Sequence, residues 1–289
     1  MLGYYNLSLQ GDSHKDKNIV CQDASLIKEL PCGWIIAVIA DGVGSAKYSD
    51  VGSLLAVNNI VEYFNEHCPL EWDIAELKDT LLVAYEATLE KITEHAEVEG
   101  ESLSEYDTTL TIAVYNGDQV VYAHVGDGGI ITLSKDGDFA LLTLPQKGEE
   151  FNVVSPLRNK KAWVFGESNL DVCALAMFTD GIYDVVCPWI LSQQEQKIYI
   201  NYIRPFMDRN ILKSDTMEDF EVIKKEAENF LNSAQNSSIT DDKTVAVVIN
   251  TNFIPAIKNS DYYAEPDWVQ LQNENKQNLY KDDGGDSKW

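Results

Sequence analysis

Apolar positions along this chain fall into two rhythms. Runs of strand length occur at residues 25–28, 34–40, 108–115, 119–125, 130–133, 172–179 and 243–250. They are rich in β-branched and aromatic residues, and turn formers bound several of them. Asn116-Gly117, Asp136-Gly137 and the Pro31–Gly33 stretch supply tight turns. Turns this short join antiparallel neighbours, because parallel strands need long crossovers. Elsewhere the rhythm is helical. Leu54, Val57, Val61 and Phe64 recur at helical spacing after a Ser-Asp cap signal. Ile74, Leu77, Leu81, Tyr85, Leu89, Ile92 and Ala96 continue the pattern in the next segment. Met217, Phe220, Ile223, Ala227 and Phe230 mark a later helix, and residues 189–207 a weaker one. Strands, two helices, strands, helices and a last strand predict an α+β sandwich. Beyond residue 252 the rhythm fades into a polar, acidic stretch. Residues 1–252 are therefore expected to form one domain. Residues 253–289 are expected to be a tail, either flexible or docked through Tyr262, Tyr263, Trp268 and Leu271.

The acids at the strand ends carry the chemistry. The apolar run "WIIAVIA" stops at Asp41, with Gly42 next. Asp23 and Asp41 are nearly equidistant from the Pro31 turn, so they should face each other at the open end of a hairpin. "CALAMFTDG" repeats the grammar at Asp180, "VYAHVGDGG" repeats it at Asp127, and "SITDDKTVAVV" puts Asp241 and Asp242 just before a strand. In an antiparallel sheet the end of one strand lies beside the start of its neighbour, so these acids can converge on one edge. Several bare carboxylates in one cleft are costly. Hard divalent cations with oxygen ligands relieve that cost. On this reading Asp41 bridges two ions and Gly42 lends its carbonyl oxygen. A single Asp after a strand also serves as a turn or cap residue; the joint pattern is what points to metal.

In order, "CQDAS" (21–25), "IADGVGS" (39–45), "DTTLTIAVY" (107–115), "AHVGDGGIITL" (123–133), "FTDGIYDVV" (178–186) and "TDDKTVAVV" (240–248) resemble the metal-dependent serine/threonine protein phosphatases of the PP2C type. "GDSHKDKNIVCQDA" resembles the bacterial branch with Ser-His before Cys-Gln-Asp. The resemblance implies a four-layer α-β-β-α sandwich of two antiparallel sheets flanked by helix pairs. It implies two Mn²⁺ or Mg²⁺ ions: Asp41 on both, the Gly42 carbonyl on one, Asp180 and Asp241 on the other, and Asp23 beside the first. Asp127, with Asp180, matches a third, weaker metal position. Asp41, Asp180 and Asp241 would thus carry catalysis, in which a metal-bridged hydroxide attacks phosphorus in line. Asp242 stands where relatives often have Asn, and is expected to act behind the ligands. Where the family usually has a phosphate-holding Arg, this chain has Asn18, and His14 is the candidate to supply the missing donor. Residues 147–167 fall where relatives carry a mobile flap, and Arg158, Lys160 and Lys161 form a basic cluster there.

Composition narrows the partners. The 289 residues carry 22 basic against 47 acidic side chains, a formal net charge of −25. Such a surface repels phosphate backbones and anionic lipid, so neither nucleic acid nor membrane is expected as a partner. The five cysteines are scattered, with no Cys-x-x-Cys pair, which argues against a zinc site or disulfide framework. No signal segment or membrane-length apolar run is evident, so a cytoplasmic location is expected. The expected substrate is a phosphorylated protein, the product of a cognate Ser/Thr kinase. Two alternatives remain at this stage: a catalytically silent phosphoprotein-binding or regulatory module with the same fold, favoured by Asn18, and an acidic adaptor acting through its tail.

Overall fold

Strand parity organises the molecule. In the strand Ile35–Asp41 the side chains of Ile35, Ala37 and Ile39 enter one buried layer and those of Ile36, Val38 and Ala40 enter another. Burial on both faces explains why this strand reads as an unbroken apolar run rather than an alternating one. The computed structural model describes residues 1–146, 154–168, 171–212 and 217–282.

In chain order the first elements are β1 (Leu2–Leu9), α1 (Asp12–Lys17), β2 (Asp23–Glu29), β3 (Ile35–Asp41), α2 (Ser49–His67) and α3 (Ile74–Glu99). Then come β4 (Leu110–Tyr115), β5 (Val120–Val125), β6 (Gly129–Ser134), β7 (Phe139–Leu141), β8 (Val164–Glu167) and β9 (Val172–Phe178). The chain continues through α4 (Asp180–Val186), α5 (Ile200–Met207), α6 (Met217–Leu231), β10 (Lys243–Asn250) and α7 (Trp268–Asp282). Two five-stranded sheets result, one ordered β1-β10-β9-β6-β7 and the other β2-β3-β4-β5-β8, with every recorded strand pair antiparallel.

Three apolar layers hold this arrangement. Between the sheets, Ile35, Ala37, Ile39 and Tyr115 meet Leu175, Met177, Ala246 and Val248. Outside the second sheet, Phe64, Leu77, Leu81 and Tyr85 of α2 and α3 cover Ile36, Val38 and Ile112. Outside the first, Ile182, Ile203, Phe206 and Phe220 of α4, α5 and α6 cover Tyr5, Ile131, Val245 and Val247. The expected four layers are present, but one helical layer holds three helices rather than a pair. The addition is α4, which begins at Asp180 directly after β9.

Other segments also depart from the sequence expectation. β1 alternates between intermediate and buried positions and pairs along its whole length with β10, some 240 residues away in sequence (Leu2 opposite Asn250). Gly3, Asn6 and Ser8 dilute its apolar signal. Of the expected flap, residues 147–153 lie outside the described residues, but 154–167 are docked. The Leu157 N–H donates to Thr108 O at 2.7 Å, and β8 pairs with β5. Two of the three basic residues are engaged: Arg158 Nε sits 2.6 and 2.9 Å from the two Asp107 carboxylate oxygens, and Lys160 Nζ lies 3.4 Å from Glu86.

The described tail also docks. The Phe139 N–H donates to Tyr262 Oη at 2.8 Å, the Arg204 guanidinium lies 4.0 Å from the Tyr263 ring centre, and Trp268 meets Tyr199 edge to face at 5.1 Å.

Candidate metal centre

At one end of the sandwich the filling between the sheets turns from aliphatic to polar. The parity that sends Ile35, Ala37 and Ile39 inward sends Asp41 the same way, and its cross-strand partner is Asp23. On the facing sheet Met177 is followed two residues later by Thr179, and Ala246 is preceded by Thr244. Thr179 Oγ1 donates to Asp23 Oδ2 at 2.8 Å. The hydroxyls of Thr244, Ser8 and Ser25 are linked at 2.8 and 3.0 Å. Asp23, Thr179 and Thr244 of this floor are buried and hydrogen-bonded, as polar groups in an interior must be.

Above it opens a cleft of about 430 Å³ whose walls include His14, Asp41, Gly42, Asp127, Asp180 and Asp241. One carboxylate oxygen from each of Asp41, Asp127 and Asp180 lies within 4.8 Å of the other two. His14, Asp241 and Asp242 form a second group within the same limit. Asp23 lies beneath the cleft rather than on its wall. Asn18 is not on the wall either. It is exposed and takes the left-handed conformation (φ 55°, ψ 34°) that ends α1, where its N–H meets His14 O and Lys15 O. Asn tolerates that conformation better than most residues.

Local structure positions Asp41, Asp180 and Asp242. The Asp41 N–H donates to Thr109 Oγ1 at 2.9 Å, and its carbonyl accepts from the Thr109 N–H at 2.8 Å and from Thr108 Oγ1 at 3.0 Å. Gly42 follows because a Cβ there would sit 2.6 Å from Ser49 O, blocking the start of α2. Asp180 opens α4. Gly181 is required beside it because a Cβ would collide with the Asp242 carbonyl oxygen. Asp242 is 3% exposed and fastens three segments together. Its two oxygens accept from the Gly11 N–H at 2.7 Å and the Gln22 N–H at 2.6 Å. His14 Nδ1 stands 3.0 Å from the same carboxylate, close enough for an ion pair though off the line of a hydrogen bond. Asp241, with its side chain 58% exposed, reaches solvent and lies 4.0 Å from His14 Nε2.

Sequence reasoning missed several cleft residues. Asp184 also lines it, one helical turn after Asp180, as do Thr109 and Gln22. The Asp180–Asp184 spacing in "DGIYD" would have revealed the first of these, had the segment been read as a helix.

The electrostatics show what the donor set lacks. Burial, then the Asp23, Asp180 and Asp127 charges, hold the Asp41 carboxyl well above the usual range. Asp23 is pushed up to about 8, first by burial, although hydrogen bonds from Thr244 and Thr179 pull it back. Asp180 is raised by burial and then by Asp241. The Asp41, Asp127 and Asp180 group offers only oxygen ligands, a donor set that suits hard divalent cations.

A sign follows for pH. These groups bind more protons in the metal-free folded state than unfolded, so folding stability is greatest below about pH 4 on their account and falls as pH rises towards about 8. Thermal denaturation of chelator-stripped protein should therefore show a falling Tm from about pH 5 to about pH 8.5, with Mn²⁺ raising Tm most at the upper end. A stripped protein equally stable across that window contradicts the assignment.

A curated relative, serine/threonine-protein phosphatase 3 of Escherichia coli (strain K12), is 25% identical over 258 residues, 84% of this chain and 96% of the relative. The crystal structure of a bacterial serine phosphatase superposes with a TM-score of 0.62 at 15% identity, covering 90% of this chain and all of that one. The catalytic domain of the serine threonine protein phosphatase PstP, solved in complex with two manganese ions, gives a TM-score of 0.56 at 17% identity, covering 86% of this chain and 97% of its own. Residues 10–219 match the family model described as protein phosphatase 2C, and the chain belongs to that family.

Proposed function

We propose that this metal-dependent serine/threonine protein phosphatase holds two divalent ions, Mn²⁺ or Mg²⁺, in the Asp41 cleft. Asp41 serves both, the Gly42 carbonyl supports one, Asp180 and Asp241 hold the other, and Asp23 backs the first from below. Asp127, with Asp180, offers a third and weaker position. The observation that carries this reading is the meeting of Asp41, Asp127 and Asp180 oxygens within 4.8 Å, from three separate stretches of chain. Ions bound there supply a field that lowers the pKa of nearby water and offsets charge building on the phosphoryl oxygens.

The protein's own residues do the rest. Asp41 and Asp180, already close enough to share a hydrogen bond, orient the reacting water. His14 is the one side chain among the described cleft residues that can carry positive charge. It donates to a phosphate oxygen in place of the family's Arg, with a single N–H rather than a bidentate fork. The exposed Asp184, on the cleft wall, returns a proton to the leaving serine or threonine oxygen. Asn18 is the sequence feature that favours a silent module. It is spent on ending α1, and nothing in the cleft favours that alternative.

The substrate is a phosphoprotein made by a cognate Ser/Thr kinase. No described helix is long and apolar enough to cross a membrane, and we assign the protein to the cytoplasm. Phosphate release from phosphoserine and phosphothreonine peptides should require Mn²⁺ or Mg²⁺ and stop with EDTA. Fully metal-loaded protein that releases none overturns the reading.

A further inference from the structure

Far from the cleft, two cysteines that the sequence holds 36 residues apart are in contact. Cys32 lies in the β2–β3 turn and Cys68 at the C-terminal end of α2, with their sulfurs 3.2 Å apart. Both are free thiols and both are partly exposed. Among the described residues no other two cysteine sulfurs are hydrogen-bonded to each other: Cys21 and Cys173 donate to backbone carbonyls instead.

The backbones presenting the pair are fixed. The Cys32 turn is closed by Leu30 N–H to Trp34 O and Gly33 N–H to Leu30 O, each at 2.8 Å, with Gly33 at φ +83°. The Cys68 N–H donates to the carbonyl of fully buried Phe64 at 3.0 Å. Trp34 and Trp72, edge to face at 4.9 Å, pack in the same apolar layer as both cysteines. A disulfide bond is about 2.05 Å long, so closure asks the sulfurs to approach by about 1 Å.

We propose that Cys32 and Cys68 form a reversible disulfide, an oxidation site that clips α2 to the β2–β3 hairpin. The oxidant is a hydroperoxide. One thiolate attacks a peroxide oxygen, the O–O bond breaks, and a sulfenic acid and water form. The second thiol then attacks that sulfur, the S–O bond breaks, and a second water leaves. Two thiols and one hydrogen peroxide thus give one disulfide and two waters, each sulfur losing one electron. A low-molecular-weight thiol reverses the step by exchange. Burial, then the neighbouring Cys32 thiol, pushes Cys68 up to about 12, which slows attack and keeps the pair reduced until oxidant accumulates.

The clip closes a long loop of the unfolded chain, so its first effect is on stability. α2 backs the metal-bearing strand, since Gly42 packs against its first residue, Ser49. The cysteine pair sits at the opposite end of β2 and β3 from Asp23 and Asp41, beyond strands that are each seven residues long, or roughly 20 Å. Turnover should therefore be preserved. The inference does not depend on the reading of the cleft.

The test treats the full-length, Mn²⁺-loaded protein with hydrogen peroxide, alkylates it, digests it without reductant and maps the peptides by mass spectrometry. The expected result is a Cys32–Cys68 linked peptide that dithiothreitol removes. Tm should rise by roughly 5–10 °C on oxidation, with phosphatase turnover changed less than about twofold. Cys32→Ser and Cys68→Ser should each abolish both the linked peptide and the Tm shift. If either variant fails to fold, the wild-type peptide map still decides. Sulfinic acid at either residue without linkage, linkage to another cysteine, or no Tm rise overturns the proposal.

Discussion

Asp41→Asn should reduce metal-dependent phosphate release by at least about a thousandfold, or about 4 kcal/mol of transition-state stabilisation, while making the metal-free protein more stable. The two effects share a cause. In the stripped cleft Asp41 is held well above its ordinary range by burial and by Asp23, Asp180 and Asp127, so its charge opposes folding. An amide of the same shape removes that repulsion and also removes the ligand proposed to serve both ions. Kinetics on a phosphoserine peptide and thermal melts with and without Mn²⁺ read the two effects separately. The variant should melt a few degrees higher than wild type in EDTA, and its Tm gain from Mn²⁺ should largely vanish. A variant that loses activity but keeps the wild-type Mn²⁺ response would show that Asp41 is not the shared ligand.

Asp242→Ala should be the most damaging change behind the cleft. Two buried N–H groups, of Gly11 and Gln22, lose their acceptor at once. The expected cost is about 3 kcal/mol, read as a Tm lower by roughly 6–10 °C. Activity should fall further than stability alone explains. The lost carboxylate fixes the approach to α1, which carries His14, and the approach to β2, which carries Asp23. Asp242→Asn keeps one acceptor and should recover part of the Tm and most of the turnover. If the alanine variant melts like wild type, the residue is not the fastening point described.

How legible all this is in the sequence depends on how local the determining contacts are. The Asp23–Asp41 pairing is readable because a tight turn fixes register and every pair from Glu29–Ile35 outward follows from it. Parity along β3 then sends Asp41 to the inter-sheet face with Ile39. Asp127, Asp180 and Asp241 are recognisable from the same strand-edge grammar, although their convergence depends on how two sheets stack. β1 is invisible locally, since its partner β10 closes from the other end of the chain. Asp184 is missed because the seven-residue α4 is too short to show a helical rhythm, and it is held by packing of Ile182, Tyr183 and Val186 rather than by propensity. The docked tail lacks periodicity because it is anchored by aromatic rings and side-chain hydrogen bonds, not by an apolar stripe. Cys32 and Cys68 carry no spacing signal at all, since the packing of α2 against the β2–β3 sheet brings them together.

The central claim is that separate strand ends share a pair of divalent ions, and crystals grown with Mn²⁺ test it most directly. Data collected near the manganese absorption edge should give two anomalous peaks a few ångströms apart, with Asp41 between them and Asp180 and Asp241 around one. A cleft without anomalous signal at saturating Mn²⁺, or a single ion bound away from Asp41, contradicts the account.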